Sequence, residues 1–357
     1  WGAIRLFTDA LGQKIAGNQP EVYTNLKDKQ RSQVLTTLDL DYQKLAEDIL
    51  GQRYGAIVVM NRSGELLALA SSPGFNPDPE KLADYLDQPE SLLDQTTALF
   101  QPGSIFKIVV AAAALEEKIV TEEQLFVCQG ARDELIPCWK KQGHGRITFA
   151  EAFAQSCNPV FAQLAKKLGA AKIIEYAQKL GLNNQKITGY PVSRQTEQDL
   201  SQIAWEHNLS NSAIGQGPVL VTPVQVAALL NTLINGGIYQ QPCLVKAIQK
   251  GENVQSLPRE KGRRAISVPT ALTLQKLLIK VVENGVGQNA ALSSGGCGGK
   301  TGSAEVGDGT INAWFSGFLP ASNPQYIIAV LIREGESGSA TAAPLFKQIG
   351  EALHISD

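Results

Sequence analysis

The stretch Ser104-Ile105-Phe106-Lys107 directly precedes the apolar run 108–115 and is the most informative part of this 357-residue chain. Residues three apart on a helix share a face, so Lys107 can reach the hydroxyl of Ser104 and take its proton. Because residues 108–115 are apolar on every side, the helix that carries the pair is predicted to be central and buried.

Two further motifs strengthen the functional interpretation of Ser104 and Lys107. Ser156-Cys157-Asn158 and Lys300-Thr301-Gly302 follow it in this order, and each pattern occurs once in the chain. Taken singly, the three motifs are ordinary: a capping serine with a snorkelling lysine, a turn between helices, and a surface turn. Their order, their uniqueness and their predicted contexts together favour an acylation site with its own base.

The composition limits the classes of function. Hydrophobic residues make up 43% of the chain and charged residues 18%, which is enough to bury a large core in one big domain or two ordinary ones. The 32 basic and 34 acidic residues are interspersed and leave a net charge of −2, so we expect no nucleic-acid partner. No apolar run is long enough to span a membrane. The start at Trp1, without an initiator Met or a signal-peptide pattern, indicates a chain trimmed at its N-terminus.

The cysteines and histidines predict no metal site and no cofactor. Five cysteines stand at positions 128, 138, 157, 243 and 297 without a Cys-x-x-Cys pair, and there are only three histidines, so zinc is not expected. Cys128 and Cys138 are close enough to bridge, as an oxidising compartment would favour, and the odd total leaves at least one free thiol. His144 is interpreted as a loop residue, because a Ser-His-Asp site needs a nucleophile motif that is missing.

Strand signals at both ends of the chain and helix signals between them predict the fold. The strands are expected at residues 56–60, 66–70, 297–304, 311–318 and 326–333, and the helices at 39–50, 108–115, 159–168, 223–235, 269–283 and 342–353. Thr148 with Glu151 and Thr222 with Gln225 predict capping boxes. Such an order implies an α+β fold, with one central antiparallel sheet and helices on both of its faces.

Two domain-level expectations complete this outline. Residues 1–33 lack a clear period and are interpreted as the stub of an N-terminal pedestal or linker, while 34–357 form the main domain. Residues 241–264 are interpreted as an insertion within that domain.

The base chemistry requires a perturbed lysine. For Lys107 to accept a proton at neutral pH, its pKa must fall by about 3 units from about 10.4, which costs about 4 kcal/mol. Burial supplies desolvation and Lys300 a like charge. The Ser156 hydroxyl can relay a proton toward the leaving amine, and the Asn158 amide can hold a substrate carbonyl or Lys107 itself. Ser156 and Asn158 are expected to face the cleft from an extended link, with Cys157 turned inward.

The third motif is predicted to bind substrate. Lys300 offers a cation for a carboxylate, and Thr301 and Ser303 face one side of the strand with their hydroxyls. Gly302 is expected to leave room for the substrate, and the glycine-rich run 295–299 is consistent with a peptide pairing along the strand.

The helix start supplies the remaining donors. Pro102 and Gly103 predict that the helix begins beside Ser104, so that the backbone N–H groups of Ser104 and Ser303 make an oxyanion hole. Trp314 is interpreted as a core or cleft-wall residue.

With these motifs the chain resembles the transpeptidase domain of penicillin-binding proteins over roughly residues 34–353. The likeness extends to the segments Thr36-Thr37-Leu38-Asp39, Gly64-Glu65-Leu66-Leu67-Ala68-Leu69-Ala70-Ser71, Gln101-Pro102-Gly103-Ser104, Ile214-Gly215-Gln216-Gly217 and Asn312-Ala313-Trp314-Phe315. Cys138-Trp139 with Gly143-His144-Gly145 is most similar to the class B enzymes of wall elongation. Ser303 stands where the family often has Thr, and both carry the hydroxyl.

The resemblance implies a fold like that of β-lactamases and transpeptidases, and a reaction. Ser104 would be acylated by the D-Ala-D-Ala end of a peptidoglycan stem peptide, an amine of a neighbouring strand would release the cross-link, and β-lactams would remain attached to Ser104. It also implies cell-wall synthesis partners, an N-terminal membrane anchor outside this chain, and action at the extracytoplasmic face of the bacterial cytoplasmic membrane.

Three other readings of the same site stay open. A β-lactamase shares the three motifs and adds a Glu that activates water, which Glu206-His207-Asn208-Leu209-Ser210 only approaches, because Ser stands at its end where Asn is expected. A D,D-carboxypeptidase differs only in using water as the acceptor. A β-lactam sensor would be acylated once without turnover.

Overall fold

A five-stranded antiparallel sheet forms the centre of the protein, which we describe from a computed structural model. The described residues are 2–5, 21–24, 32–76, 78, 85, 88–191, 197–205, 208–307 and 309–353. The strands are β1 (Gly2–Arg5), β2 (Glu21–Thr24), β3 (Gln33–Thr36), β4 (Gly55–Asn61), β5 (Leu66–Ser72), β6 (Leu125–Cys128), β7 (Gly145–Thr148), β8 (Ile238–Tyr239), β9 (Val245–Lys250), β10 (Asn253–Ser256), β11 (Arg263–Arg264), β12 (Gly298–Glu305), β13 (Ile311–Leu319) and β14 (Tyr326–Ile332). The central sheet has the order β12-β13-β14-β4-β5, so strands from the two ends of the chain meet between β14 and β4.

Helices cover this sheet on both faces. They are α1 (Leu40–Leu50), α2 (Lys107–Glu116), α3 (Phe149–Ala154), α4 (Asn158–Leu168), α5 (Ala170–Lys179), α6 (Asn208–Ala213), α7 (Pro223–Ile234), α8 (Val268–Asn284) and α9 (Ala343–Ala352). One core joins α2, α7 and α8 to the face of the sheet that carries Val58 and Leu331, and a second joins α1 and α9 to the face that carries Ile57 and Val330. The α+β fold predicted from the sequence is confirmed.

Local signals explain where the helices begin and end. Asp39 caps α1 by accepting hydrogen bonds from two backbone N–H groups, and Gly51, at φ +57°, follows its last residue. Both predicted capping boxes are present, that of Thr148 at α3 and that of Thr222 at α7. The predicted central helix is also buried as expected, since residues 107–114 of α2 are all inaccessible to solvent.

Smaller sheets lie around the central one. The region predicted to be an insertion contributes β9 and β10, and β9 also pairs with β3 in a three-stranded sheet of order β10-β9-β3. The strands β6 and β7 form a separate two-stranded sheet in which Cys128 faces Gly145. No helix among the described residues is long and apolar enough to cross a membrane.

The bridge between Cys128 and Cys138, which the sequence left open, is not formed in this structure. All five cysteines are free thiols, and all five are buried. Cys138 instead belongs to a group of side chains that includes a histidine and a third cysteine, which is described below.

Candidate active site

Ser104 lies at the mouth of a cleft in front of the buried helix α2. The helix does not start at Ser104 as predicted: residues Gly103–Phe106 form a 3-10 turn, and the α-helical part begins at Lys107. Gly103 has a φ of +54°, and a Cβ there would lie 2.8 Å from the carbonyl oxygen of Ser303. The absence of a side chain at Gly103 therefore lets the turn that carries Ser104 pack against β12.

Lys107 is completely buried beneath this turn. Its Nζ donates hydrogen bonds to Asn158 Oδ1 at 2.7 Å, to the Ser156 carbonyl oxygen at 2.8 Å and to Ser156 Oγ at 3.2 Å. Among the hydrogen bonds of the described residues there is none between Lys107 Nζ and Ser104 Oγ, so the predicted direct contact is not formed here. Ser156 and Asn158 thus hold the amine of Lys107, which follows Ser104 by three residues in the chain.

Burial perturbs both lysines of the site. It lowers the pKa of Lys107 to about 7, against the opposing electrostatic effect of Cys157 and Cys138. The pKa of Lys300 is also lowered well below its usual value, first by burial and then by the charge of Lys107. The fall expected for Lys107 from the sequence is therefore present. We name Lys107, Ser156, Asn158 and Lys300 the amine cluster.

The link between α3 and α4 brings the second motif to Lys107. Ser156 has a φ of +53°, which is left-handed for a residue with a Cβ, and Cys157 caps α4, whose first residue is Asn158. The predicted extended link is wrong, because Ser156 turns the chain sharply. Ser156 and Asn158 nevertheless converge, since both contact Lys107 Nζ.

Strand β12 carries the third motif with its residues on alternate sides. Thr301 and Ser303 line the cleft together, as predicted, while Lys300 is completely buried behind it. The Nζ of Lys300 donates to Ser156 Oγ at 3.0 Å and to the Thr301 carbonyl oxygen at 3.3 Å. Ser156 Oγ therefore accepts from both lysines, and the predicted contact of Lys300 with a substrate carboxylate would require a change from this arrangement.

The glycines of β12 allow close packing against neighbouring segments. A Cβ on Gly302 would lie 2.4 Å from the Pro102 carbonyl oxygen, so this glycine makes room for the turn before Ser104. Its role in leaving room for a substrate stays a prediction. Cβ atoms on Gly298 and Gly299 would lie 2.5 Å from the ring of Phe318 and 2.6 Å from that of Phe315. The glycine-rich run thus fits the packing of aromatic rings on the neighbouring strand.

The cleft has a volume of about 850 Å³. Ser104, Ser156, Asn158, Thr301 and Ser303 share it with apolar residues that the sequence did not single out as a wall: Ile136, Pro137, Trp139, Val286 and Ile311. Trp139 is 56% exposed and is held by a hydrogen bond from its Nε1 to the Gln155 carbonyl oxygen at 3.0 Å. Only the neighbouring Gly143-His144-Gly145 segment pointed to this loop. Trp314, predicted to be core or cleft wall, is fully buried.

A second polar group includes Cys157, which lies between Ser156 and Asn158. The sulfur atoms of Cys128, Cys138 and Cys157 and a ring nitrogen of His144 all lie within 4.8 Å of one another. These four residues, which we name the thiol cluster, could hold a metal ion. The sequence argument against zinc rested on the missing Cys-x-x-Cys pair and the small number of histidines, and the fold assembles these side chains from separate segments.

Two further sequence predictions concern the site: the segment that begins at Glu206 and the oxyanion donors. Glu206 and His207 of the segment compared with the β-lactamase Glu pattern lie outside the described residues, and Asn208 begins α6. The predicted oxyanion donors, the N–H groups of Ser104 and Ser303, belong to segments that pack directly on each other at Gly103.

Comparison with known proteins gives a consistent result. Residues 55–351 match the model of the penicillin binding protein transpeptidase domain. The chain is 31% identical to Stage V sporulation protein D of Bacillus subtilis (strain 168), over 98% of this chain and 57% of that protein. It is 30% identical to the peptidoglycan D,D-transpeptidase PbpA of Mycolicibacterium smegmatis, over 95% of this chain and 75% of that protein.

A solved structure shows the same architecture. The ceftriaxone acyl-enzyme complex of penicillin-binding protein A from M. tuberculosis superposes with a TM-score of 0.81 and 29% identity, and the match covers 91% of this chain and 80% of that one. This chain spans only 57% of the length of Stage V sporulation protein D.

Proposed function

Because the chain belongs to the penicillin-binding protein transpeptidase family, we propose that it is a serine-type peptidoglycan D,D-transpeptidase that forms cross-links through an acyl-enzyme on Ser104. One observation carries this proposal: a cleft-lining serine lies three residues before a buried lysine whose pKa is lowered to about 7. A lysine with that pKa is partly neutral at physiological pH and can accept the proton of a serine hydroxyl.

Acylation uses the amine cluster once Lys107 Nζ has moved to contact Ser104 Oγ, because that hydrogen bond is not formed in the arrangement described above. Neutral Lys107 takes the proton of Ser104 as its Oγ attacks the carbonyl carbon of the terminal peptide bond, and the N–H groups of Ser104 and Ser303 stabilise the oxyanion. The proton then passes through Ser156 Oγ, which contacts both lysines, to the nitrogen of the leaving D-Ala. The Asn158 amide keeps Lys107 in place throughout.

Substrate recognition is assigned to the cleft face of β12. The hydroxyls of Thr301 and Ser303 face the donor peptide and can bind its terminal carboxylate, with the charge of Lys300 behind them. Strand β12 is also at an edge of the central sheet, so its outer side can pair with an extended peptide. Lys300, Thr301, Gly302 and Ser303 are thus proposed as the substrate-binding segment, with Gly302 acting through packing.

The cellular setting is proposed from the relatives. One of them is named a peptidoglycan D,D-transpeptidase, and another a sporulation protein, so action on the cell wall outside the cytoplasm is supported. We propose that residues 34–357 are the transpeptidase domain and that 1–33 belong to a pedestal or linker. The attachment to the membrane, through a segment outside this chain, and the partner proteins of wall synthesis are part of the same proposal.

The test is acylation by a labelled penicillin, followed by intact mass. The wild type is expected to gain one penicillin per chain, and Ser104→Ala none. No adduct on the wild type would overturn the proposal, and an adduct lost within seconds would indicate a β-lactamase. If the adduct is stable, a D-Ala-D-Ala donor peptide is added with and without an acceptor amine. A cross-linked product supports the transpeptidase, hydrolysis alone indicates a D,D-carboxypeptidase, and no turnover indicates a sensor.

A further inference from the structure

The cleft carries a charged side chain that the proposed reaction does not use. Glu305 is the last residue of β12, and among the described residues that line the cleft it is the one that bears a charge. Side chains alternate along a strand, so Glu305 lies on the same side of β12 as Thr301 and Ser303. It is exposed, whereas Lys107 and Lys300 are completely buried. A substrate in the cleft therefore meets a carboxylate at this end of the strand.

The carboxylate of Glu305 is available to a ligand. In the part of the chain that the structure describes, it accepts no hydrogen bond and forms no ion pair. Glu116, by contrast, accepts hydrogen bonds from the backbone N–H and the hydroxyl of Ser267. The partner of Glu305 across the ladder on β13 is Ile311, an apolar residue that also lines the cleft. The position thus holds a negative charge that the fold itself does not use.

The direction of the donor peptide follows from the proposed binding of its terminus. The hydroxyls of Thr301 and Ser303 are assigned to the terminal carboxylate, and Ser104 attacks the bond before the last D-Ala. The residues that precede this bond then continue along the outer edge of β12 toward Glu305. A strand advances about 3.3 Å per residue, so the Cα atom of Glu305 is about 7 Å beyond that of Ser303 and about 13 Å beyond that of Thr301. The carboxylate therefore faces the donor residue that precedes D-Ala-D-Ala.

We propose that Glu305 determines specificity for donor peptides that carry a primary ammonium group on the residue before D-Ala-D-Ala. The inference rests on the proposed transpeptidase function and names a chemical feature of its donor. The carboxylate accepts a charge-assisted hydrogen bond from the ammonium group. It also repels a peptide bound in the opposite direction, because the terminal carboxylate of that peptide would lie against it. One end of β12 thus accepts a negative group and the other end a positive one.

The first test compares two β-lactams on the wild type and on Glu305→Gln. Ampicillin carries an ammonium group on its acyl side chain, and benzylpenicillin lacks it. The β-lactam carbonyl stands for the scissile carbonyl, so the acyl side chain takes the place of the preceding donor residues, and no acceptor takes part. An exposed ion pair changes a rate by about two- to fivefold. Glu305→Gln should therefore lower the ratio of the ampicillin rate to the benzylpenicillin rate by that factor, as measured by intact mass.

Two further variants sharpen this comparison. Glu305→Lys places a positive charge at the same position and should lower the ratio below that of Glu305→Gln. Glu252→Gln is the matched control, since Glu252 is an exposed acid in the turn between β9 and β10 and lies outside the cleft, and it should leave the ratio unchanged. If the Glu305 variants slow both β-lactams to the same extent, the residue has a structural role and the proposal is wrong.

The second test uses the donor itself. Nα-acetyl-Lys-D-Ala-D-Ala is compared with the peptide that is also acetylated on its side-chain amine, through the rate of D-Ala release. The wild type should prefer the free amine by about two- to fivefold, and Glu305→Gln should not discriminate. The preference should also vanish at about 1 M salt, where the Debye length is about 3 Å. The β-lactam ratio decides the question if the soluble donor is not turned over.

The outcomes separate this inference from the function on which it rests. A benzylpenicillin adduct on wild-type Ser104 together with a ratio unchanged in Glu305→Gln would overturn the role of Glu305 and leave the acylation site intact. No adduct on the wild type would overturn both. The acceptor is a second source of an ammonium group. If Glu305→Gln weakens only the dependence on acceptor concentration and leaves both donor comparisons unchanged, the carboxylate binds the acceptor amine and the donor assignment is wrong.

Discussion

The amine cluster and the thiol cluster meet at residues 156–158, and they differ in how their polar atoms are satisfied. Both lysine Nζ atoms have oxygen partners within 3.3 Å. In the thiol cluster, the one hydrogen-bond partner of His144 among the described residues is a sulfur atom. The comparison teaches that the fold's own oxygens can hold buried lysine amines, whereas thiols satisfy a buried imidazole poorly.

The two clusters also act on each other through charge. Burial lowers the pKa of Lys107, while Cys157 and Cys138 oppose that effect. Lys107 must remain neutral enough to act as a base, and yet its charged form must be tolerated once it holds the serine proton. The opposing effect of the two cysteines favours that charged form.

The largest expected effect comes from removing the amine of Lys107. A positioned general base contributes about 10²–10⁴-fold to a rate, so Lys107→Ala should lower the rate of penicillin acylation of Ser104 by about that factor. The measurement is the rate of adduct formation by intact mass. Lys280→Ala, an exposed lysine on α8, is the control and should leave the rate unchanged. A rate within twofold of wild type would show that another group is the base.

The sequence predicted the amine cluster and not the thiol cluster, for a physical reason. The residues of the amine cluster come from separate segments, but they belong to three motifs whose order and family resemblance predicted that they meet. The thiol cluster depends instead on the path of the loop between β6 and β7, which no motif encodes. The absence of a Cys-x-x-Cys pair therefore gave no sign of it.

Some details of the predicted site also depend on packing that the sequence does not reveal. The positions of the central strands along the chain and most helix ends followed from hydrophobic period, capping residues and glycines. The left-handed turn at Ser156 did not, because any residue type can be forced into it by its surroundings. Gly302 was assigned to the substrate, since nothing in the sequence shows that the Pro102 carbonyl lies against it.

The second prediction concerns pH. Because the pKa of Lys107 is lowered to about 7, its neutral fraction falls about tenfold for each pH unit well below that value and is constant well above it. The rate of penicillin acylation should therefore rise with pH and level off above about pH 7–8. A profile that still rises steeply at pH 9 would mean that Lys107 keeps its ordinary pKa.

The lowered pKa of Lys107 also makes the stability of the fold depend on pH. Lys107 in the unfolded chain has its usual pKa of 10.5, so between about 7 and 10.5 the unfolded state binds more protons than the folded state. The cost of burying charged Lys107 is therefore full below pH 7 and is relieved as pH rises through this window, so the free energy of unfolding should rise with pH. Denaturant unfolding of wild type and Lys107→Met at pH 7 and pH 9 isolates it.

A smaller effect is expected at Gly302, on the side of the amine cluster. A Cβ there would lie 2.4 Å from the Pro102 carbonyl oxygen, so Gly302→Ala must move the turn that carries Ser104. Overpacking of this kind costs about 1–3 kcal/mol of stability, and acylation should slow with it. Gly307→Ala is the matched control, since a Cβ there would meet nothing within 4 Å. Equal stability of the two variants would show that β12 adjusts freely.

The smallest expected effect tests Ser156, the residue that both clusters share as a neighbour. Its φ of +53° is unfavourable for any residue with a Cβ. Ser156→Gly should be about 0.5–1 kcal/mol more stable than Ser156→Ala, because relief of the left-handed strain exceeds the extra entropy of the unfolded glycine chain. Both variants lack the hydroxyl, so both should lose the proton relay to the same extent in acylation. If Ser156→Ala is as stable as Ser156→Gly, the left-handed turn carries no strain at this position. Unequal acylation rates of the two variants would show that the backbone turn, and not only the hydroxyl, contributes to the amine cluster.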